Sequence, residues 1–443
     1  VTNRAGRLLT IVDQAAGGLA ADLLLYGLSA VFALVTALTS TLLPHRGWGA
    51  IAAWAYLVAF LAVLGQLLGR RANGTRPSRA NGTRPSRANG TRPGRASGTV
   101  RAALTWLTWA GAALLPLVVE AVQRAGGRTD RAQDEVLVVE RMGERLLDSG
   151  TPYLGRKTIA ALPGGDQLLG YAPYQPGMAV FGLPRAVLGN FWWTDARVWF
   201  AVVTALALGA AVAVLRDVSR DALVRAVQFA TVLPICALTL ATGGDDLPVL
   251  ALCLLALACC AADRFGSAGL AVGAAAACKL FAFPVVAVLA VLALAGGRGR
   301  RFLPGALGLP VLVLISPLLV AGDAFVENVL RFPLGHGVVT SPAQSPFPGY
   351  LISQALPGGR YVATALLVAV AGAIAVLLVR RPPRTAATAA LFCGYGLLAA
   401  ILLMPTTRFG YLLYPLALLV WAPALSKSTA TAALRSDTAL YRT

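Results

Sequence analysis

The side chains of this chain that can do chemistry are few and far apart in sequence. Carboxylates concentrate between positions 122 and 195, where Asp130, Asp134, Glu135, Glu140, Glu144, Asp148, Asp166 and Asp195 make up eight of the nineteen acidic residues. Adjacent Asp134 and Glu135 open the run DEVLVVERMGERLL. Such a pair can take a proton from a hydroxyl as a general base, or it can simply face the positive end of a helix dipole. Among the cations, Lys279, Arg331 and Arg408 stand beside apolar runs. A charge at such a boundary is costly unless paired, which marks them as candidates to bind an anion such as phosphate, Arg through a bidentate fork and Lys as a point charge. For Arg408 the plain alternative is a helix-end side chain that snorkels to the interface. Adjacent Asp245 and Asp246 suit a turn with a helix-capping role, and hydrogen bonding to ligand hydroxyls is the functional alternative. Two neighbouring carboxylates also leave a divalent metal open, although hard cations want several oxygen ligands. Two histidines, His45 and His336, are too few for a histidine-rich metal site, and six cysteines lie within apolar runs without a CxxC spacing.

The elements that must position these residues are membrane helices. Of 443 residues 57% are apolar and only 13% charged, enough for roughly twelve spans of about 20 residues and far too little charge for a soluble surface. The expected fold class is an all-α polytopic membrane protein with spans near 19–43, 48–69, 101–121, 196–215, 222–242, 247–262, 267–279, 281–296, 302–322, 361–379, 385–404 and 411–426. The stretch Ser267 to Ala295 is too long for one untilted helix and is interrupted by Lys279 and Pro284, with arginines on both flanks. It should therefore cross twice, with Lys279 at its turn.

The formal net charge of +19 sits between apolar runs, where it acts as a topology determinant and a contact to anionic membrane lipids. It implies no nucleic-acid partner. By the positive-inside rule both termini face the cytoplasm, and the long segments 122–195 and 323–360 face outward. Arg usage far above Lys, with heavy Ala and Gly, points to a GC-rich bacterial genome and hence a bacterial cell membrane. The expected organisation is a two-helix segment over 1–69, a disordered basic linker over 70–99, a core over 100–426 and a cytoplasmic tail over 427–443. The linker reading rests on three copies of RANGTRP(S/G) at 71–94, a tract that cannot bury a core.

Within 122–195, Val136, Val139, Met142, Gly143 and Leu146/Leu147 fall on one helical stripe, which predicts an amphipathic helix at the membrane surface with Asp134 and Glu135 in its first turn. Trp192, Trp193 and Trp199 read as an interfacial aromatic belt. The run Glu135-Val-Leu-Val-Val139, followed by Gly143, Leu146-Leu147, Gly150 and Pro152-Tyr153, then Tyr171-Ala-Pro-Tyr174-Gln-Pro176, resembles the membrane-embedded GT-C glycosyltransferases. The nearest likeness is to the polyprenyl-phosphate-mannose-dependent mannosyltransferases of glycosyltransferase family 87. It continues through Thr194 to Arg197, the segment 268–284 with Lys279, and Arg408-Phe-Gly-Tyr411.

The resemblance implies a GT-C-like bundle and an inverting transfer of a sugar, mannose, from a polyprenyl-phosphate donor to an extracytoplasmic lipid- or glycan-linked acceptor, without a required cofactor. By spacing to the Pro-Tyr pair, Glu135 takes the family's acidic base position, with Asp134 one residue off. Lys279, Arg408 and Arg331 are then candidates for the donor phosphate, and Asp245, Asp246, Tyr174 and Asp195 for sugar or acceptor. Val139 stands where the family often has Tyr, and Gly243-Gly-Asp-Asp246 where Gly-Gln-x-Asn is frequent, which leaves sugar and acceptor open. A transporter or flippase with a cation-lined cavity, and an inactive relative, are the competing readings. Transporters usually carry paired broken helices, and the sequence shows a single interrupted hairpin.

Overall fold

A computed structural model describes residues 15–74, 94–216, 218 and 220–426, which fold as an all-helical bundle whose only β pairing among them is an isolated bridge between Gln344 and Thr407. An N-terminal hairpin is formed by α1 (Leu19–Thr39) and α2 (Leu43–Gly74). Helix α3 covers 94–125 and passes through one π-helical turn at Ala110–Leu114. Then follow α4 (Asp134–Ser149), α5 (Ala196–Val214), α6 (Arg220–Thr231), α7 (Pro234–Thr242), α8 (Asp246–Ala261), α9 (Phe265–Cys278), α10 (Phe283–Ala295), α11 (Gly299–Phe325), α12 (Gly359–Arg380), α13 (Ala386–Leu403) and α14 (Leu413–Trp421). The repeat at 71–94 lies outside the described residues except at its edges, where 71–74 complete α2 and Gly94 opens α3; the tail 427–443 lies outside as well.

All twelve expected spans are helical, but they are not alike in length. Seven helices among the described residues are long and apolar enough to cross a membrane, and α6 with α7, bent by 43°, adds an eighth if the pair is one broken span. The expected spans at 247–262, 267–279, 281–296 and 411–426 are apolar helices of only 10–17 residues. The count of twelve crossings therefore does not follow from length and composition. Proline explains the two main breaks. Leu233 is extended ahead of Pro234, which removes an N–H and starts α7 in a new direction. Lys279 is likewise extended (φ −152°, ψ 142°), so α9 ends there and the chain re-enters helix before Pro284.

Small residues let the helices approach at backbone contact. A Cβ on Gly273 would lie 2.1 Å from the Gly305 carbonyl oxygen, and one on Gly269 2.1 Å from that of Phe302. Helices α9 and α11 thus cross with main chain against main chain, the packing that van der Waals contact favours where lipid removes the hydrophobic driving force. The N-terminal hairpin is fastened to the core. Buried Asp22 of α1 accepts from Arg101 Nε of α3 at 2.6 Å and from Gln228 Nε2 of α6 at 3.1 Å, Trp48 Nε1 donates to the Ala112 carbonyl at 2.8 Å, and the Tyr56 hydroxyl to that of Val232 at 2.7 Å. All six cysteines are buried and unpaired.

Helix α4 forms where its stripe predicts, with Asp134 and Glu135 in the first turn, and stops at Gly150, whose φ of +73° suits the left-handed C-terminal position. Its apolar face, however, is covered by protein and does not lie open to a bilayer. Val136, Val139 and Met142 are fully buried, and Gly143 sits so close to the backbone of Gly182 that a Cβ would come within 2.5 Å. The segment Pro176–Leu188 supplies that cover. Of the predicted stripe, Leu147 remains exposed.

Gly273→Leu should force α9 and α11 apart and destabilise the bundle by roughly 1–3 kcal/mol or more, since the obstructing atoms are backbone. A fall in the thermal unfolding midpoint in detergent would register it, and no fall would contradict the backbone-contact crossing.

Candidate active site

A cavity of about 850 Å³ opens where α4, the α7–α8 turn, the α9–α10 break and the segment leading into α14 converge. Its polar lining includes Asp134, Glu135, Asp245, Asp246, Lys279 and Arg408, six residues spread over 275 positions of sequence. Two ion-pair clusters form within it. Glu135 accepts from the Arg408 guanidinium. Lys279 Nζ donates to Asp245 at 2.8 Å and to Asp246 at 2.6 Å, and Asp246 also accepts from the Tyr414 hydroxyl at 2.8 Å. The Lys279 ammonium lies 5.3 Å from the centre of the Tyr174 ring and 5.6 Å from that of Tyr411, so aromatic faces complete its surroundings.

The two clusters differ in exposure. Lys279, Asp245 and Asp246 are each below 9% exposed, whereas the Arg408 side chain is 38% exposed and Glu135 16%. Asp134 is open to the cavity and has no hydrogen-bond or ion-pair partner among the described residues. Partial burial and the neighbouring Glu135 raise its carboxyl above the ordinary range, against the opposing pull of Arg408 and Arg141. Burial raises Tyr174 well above a free phenol, reinforced by Asp245 and Glu135, so it remains a neutral hydroxyl. Burial also raises Asp245, with Lys279 opposing it.

Two anticipated site residues belong elsewhere. Asp195 is fully buried outside the cavity, where it accepts a fork from Arg197 Nε and Nη2 and, at 2.9 Å, a bond from Arg124 Nη1. Those two guanidiniums outweigh its burial and hold its carboxyl below the usual range. It is a structural counter-ion. Arg331 does not line the cavity either: its side chain is 58% exposed and faces Glu327 at 3.7 Å, because the helix runs on past Phe325 through Val326–Arg331 and carries it away. Of the tryptophans, Trp192 and Trp193 are exposed, and Trp199 Nε1 donates to the Trp193 carbonyl at 3.1 Å.

The network around Asp195 sets the site. Arg197, fully buried, pairs with Glu120 at 3.0 Å and donates to the carbonyls of Arg131 at 2.7 Å and Ala241 at 3.3 Å. The first precedes Gln133, Asp134 and Glu135; the second precedes the Asp245–Asp246 turn. Gln133 closes the gap: its N–H donates to the Thr242 carbonyl at 3.0 Å, its Oε1 accepts from the Thr242 hydroxyl at 3.1 Å, and its Nε2 lies 2.7 Å from His45 Nε2. His45, Gln133 and Phe32 were not anticipated as cavity residues. Position before the Asp-Glu pair was the only signal for Gln133, and nothing local marked His45. Among the described residues no three His, Cys, Asp or Glu side chains converge in a way that could hold a metal ion.

The fold and this lining define a membrane-embedded helical protein with an acid- and cation-bearing cavity near one end of the bundle. The model of glycosyltransferase family 87 matches residues 171–405, more than half of the chain, and the chain belongs to that family: it is a glycosyltransferase. Tyr174, Asp245, Asp246 and Lys279 fall inside the matched range; Asp134 and Glu135 lie before it and Arg408 just after it. No curated protein and no solved structure matches the chain.

Arg197→Met would leave Glu120 and Asp195 short of their buried counter-ion and should cost roughly 3–5 kcal/mol, with Arg197→Lys intermediate because a point charge cannot serve a fork. Thermal midpoints of the three proteins in detergent check the order.

Proposed function

We propose that the cavity carries out an inverting transfer of a sugar, mannose by resemblance, from a polyprenyl monophosphate to a lipid- or glycan-linked acceptor at the extracytoplasmic face of a bacterial cell membrane. One observation carries the reading: a carboxylate pair at the start of α4 and the cations Arg408 and Lys279, distant in sequence, line one cavity. In a single displacement the acceptor oxygen bonds to the anomeric carbon as the carbon–oxygen bond to phosphate breaks. The bonding pair leaves with the phosphate, and the hydroxyl proton passes to a carboxylate of α4. Arg408 is placed to meet the leaving charge through a fork, while Asp245 and Asp246 offer acceptors for sugar hydroxyls.

The lipid tail has an apolar path. Phe32 of α1, Leu233, Ile235 and Leu238 around α7, and Leu416 of α14 line the same cavity, and Phe32 and Leu416 are themselves exposed. An isoprenoid can lie there with its phosphate at Arg408. Protein cations suffice for a monophosphate leaving group, so the reading needs no metal. A transporter would need no base, and the adjacent acids favour transfer over carriage.

Asp134→Asn and Glu135→Gln, assayed separately in membranes with radiolabelled polyprenyl-phosphate sugars, should divide the roles. The amide that removes the base should lower transfer by about 10²–10⁴-fold, the usual contribution of such a group. Full transfer by both variants would eliminate the proposed base, and no labelled product from any such donor would eliminate the donor class.

A further inference from the structure

The charges of the cavity do not form a ready anion site. Four carboxylates, Asp134, Glu135, Asp245 and Asp246, face two cations, Lys279 and Arg408, and each cation is already paired. A lipid phosphate must therefore take a cation from a carboxylate. Lys279 is the costly choice. It is buried between two carboxylates that are themselves buried, and its withdrawal would leave both uncompensated at low dielectric. Arg408 pairs with one carboxylate, Glu135, at the more exposed part of the lining.

Resting on the transferase reading above, we propose that the Glu135–Arg408 ion pair is a latch: donor phosphate displaces Glu135 from Arg408, and only then is the Glu135 carboxylate free to take the acceptor proton. In the resting state Glu135 Oε1 is engaged by the Arg408 guanidinium. When the phosphate occupies the fork, the carboxylate is released beside the bound donor, where the acceptor hydroxyl must come. Donor binding then precedes acceptor activation, and an idle enzyme carries no free base at this position. Lys279 stays with Asp245 and Asp246 throughout and holds those two carboxylates toward the sugar.

The latch makes an inverse prediction for binding. Equilibrium binding of polyprenyl monophosphate lacking a sugar, measured on the full chain in nanodiscs, should be about tenfold tighter for Glu135→Gln than for the unaltered protein, because the phosphate no longer competes for Arg408. Glu135→Ala should tighten it similarly, so that one misfolded variant does not decide the matter. Asp134→Asn should stay within about twofold, since it removes a charge but no partner of Arg408. Arg408→Gln should lose the binding. Polyprenol without phosphate, the blank, should bind the unaltered protein and all four variants alike. Unchanged or weaker binding by both Glu135 variants would overturn the latch, as would equal tightening by Asp134→Asn, which is general charge repulsion. If the unaltered protein and all variants fail to bind the lipid phosphate, the donor reading falls and the latch with it.

Discussion

A guanidinium buried with no solvent contact is one of the more expensive groups a fold can hold, and Arg197 is such a group. It is tolerated because its donors are met: Asp195 takes the fork, Glu120 takes a terminal nitrogen, and two backbone carbonyls take more. Arg124 extends the chain of charges to Glu140 of α4. The ladder therefore joins α3, α4 and α5, and its two carbonyl contacts fix the loops that lead into the Asp134–Glu135 pair and the Asp245–Asp246 turn. Were these loops free to drift, the two acid pairs would not share a cavity.

The cavity inherits a second constraint from its surroundings. One wall of the cavity is apolar, lined by Phe32, Leu233, Ile235, Leu238 and Leu416, which lowers the dielectric around its charges and makes every unpaired one costly. This accounts for the compact Lys279 cluster, where each carboxylate oxygen facing the ammonium is held and Tyr174 and Tyr411 cover the rest. The Arg408–Glu135 pair, by contrast, sits at the less enclosed part of the lining. Glycine contacts at Gly143 and Gly273 serve the same end, since they let short helices hold these groups without bulky side chains between them.

The local features were legible because local physics produces them. Acidic first-turn residues and a glycine stop define α4, and proline with an interrupting lysine marks the α9–α10 break. The partners of charges were not legible. Asp195 and Asp245 are both acids beside apolar helices, yet one is a counter-ion to two arginines and the other faces the cavity. Lys279 and Arg331 both border apolar helices, but the continuation of helix beyond Phe325 carries Arg331 away from the cavity. The apolar stripe of α4 announced that something covers it without saying whether lipid or protein does. The helix count stayed open for a related reason: short apolar helices can end at a boundary or turn inside one.

By itself the sequence determined that the chain is a helical membrane protein, where its helices break, and which residue types could act as base and anion binder, because period, length and charge cost are properties of neighbouring residues. Tertiary structure decided which acid meets which cation, that the N-terminal hairpin brings Phe32 and His45 to the cavity wall, and that Asp195 and Arg331 stand outside it. Those outcomes depend on contacts between helices scores or hundreds of residues apart, and a charge bordering an apolar run carries no record of the partner that makes its burial affordable.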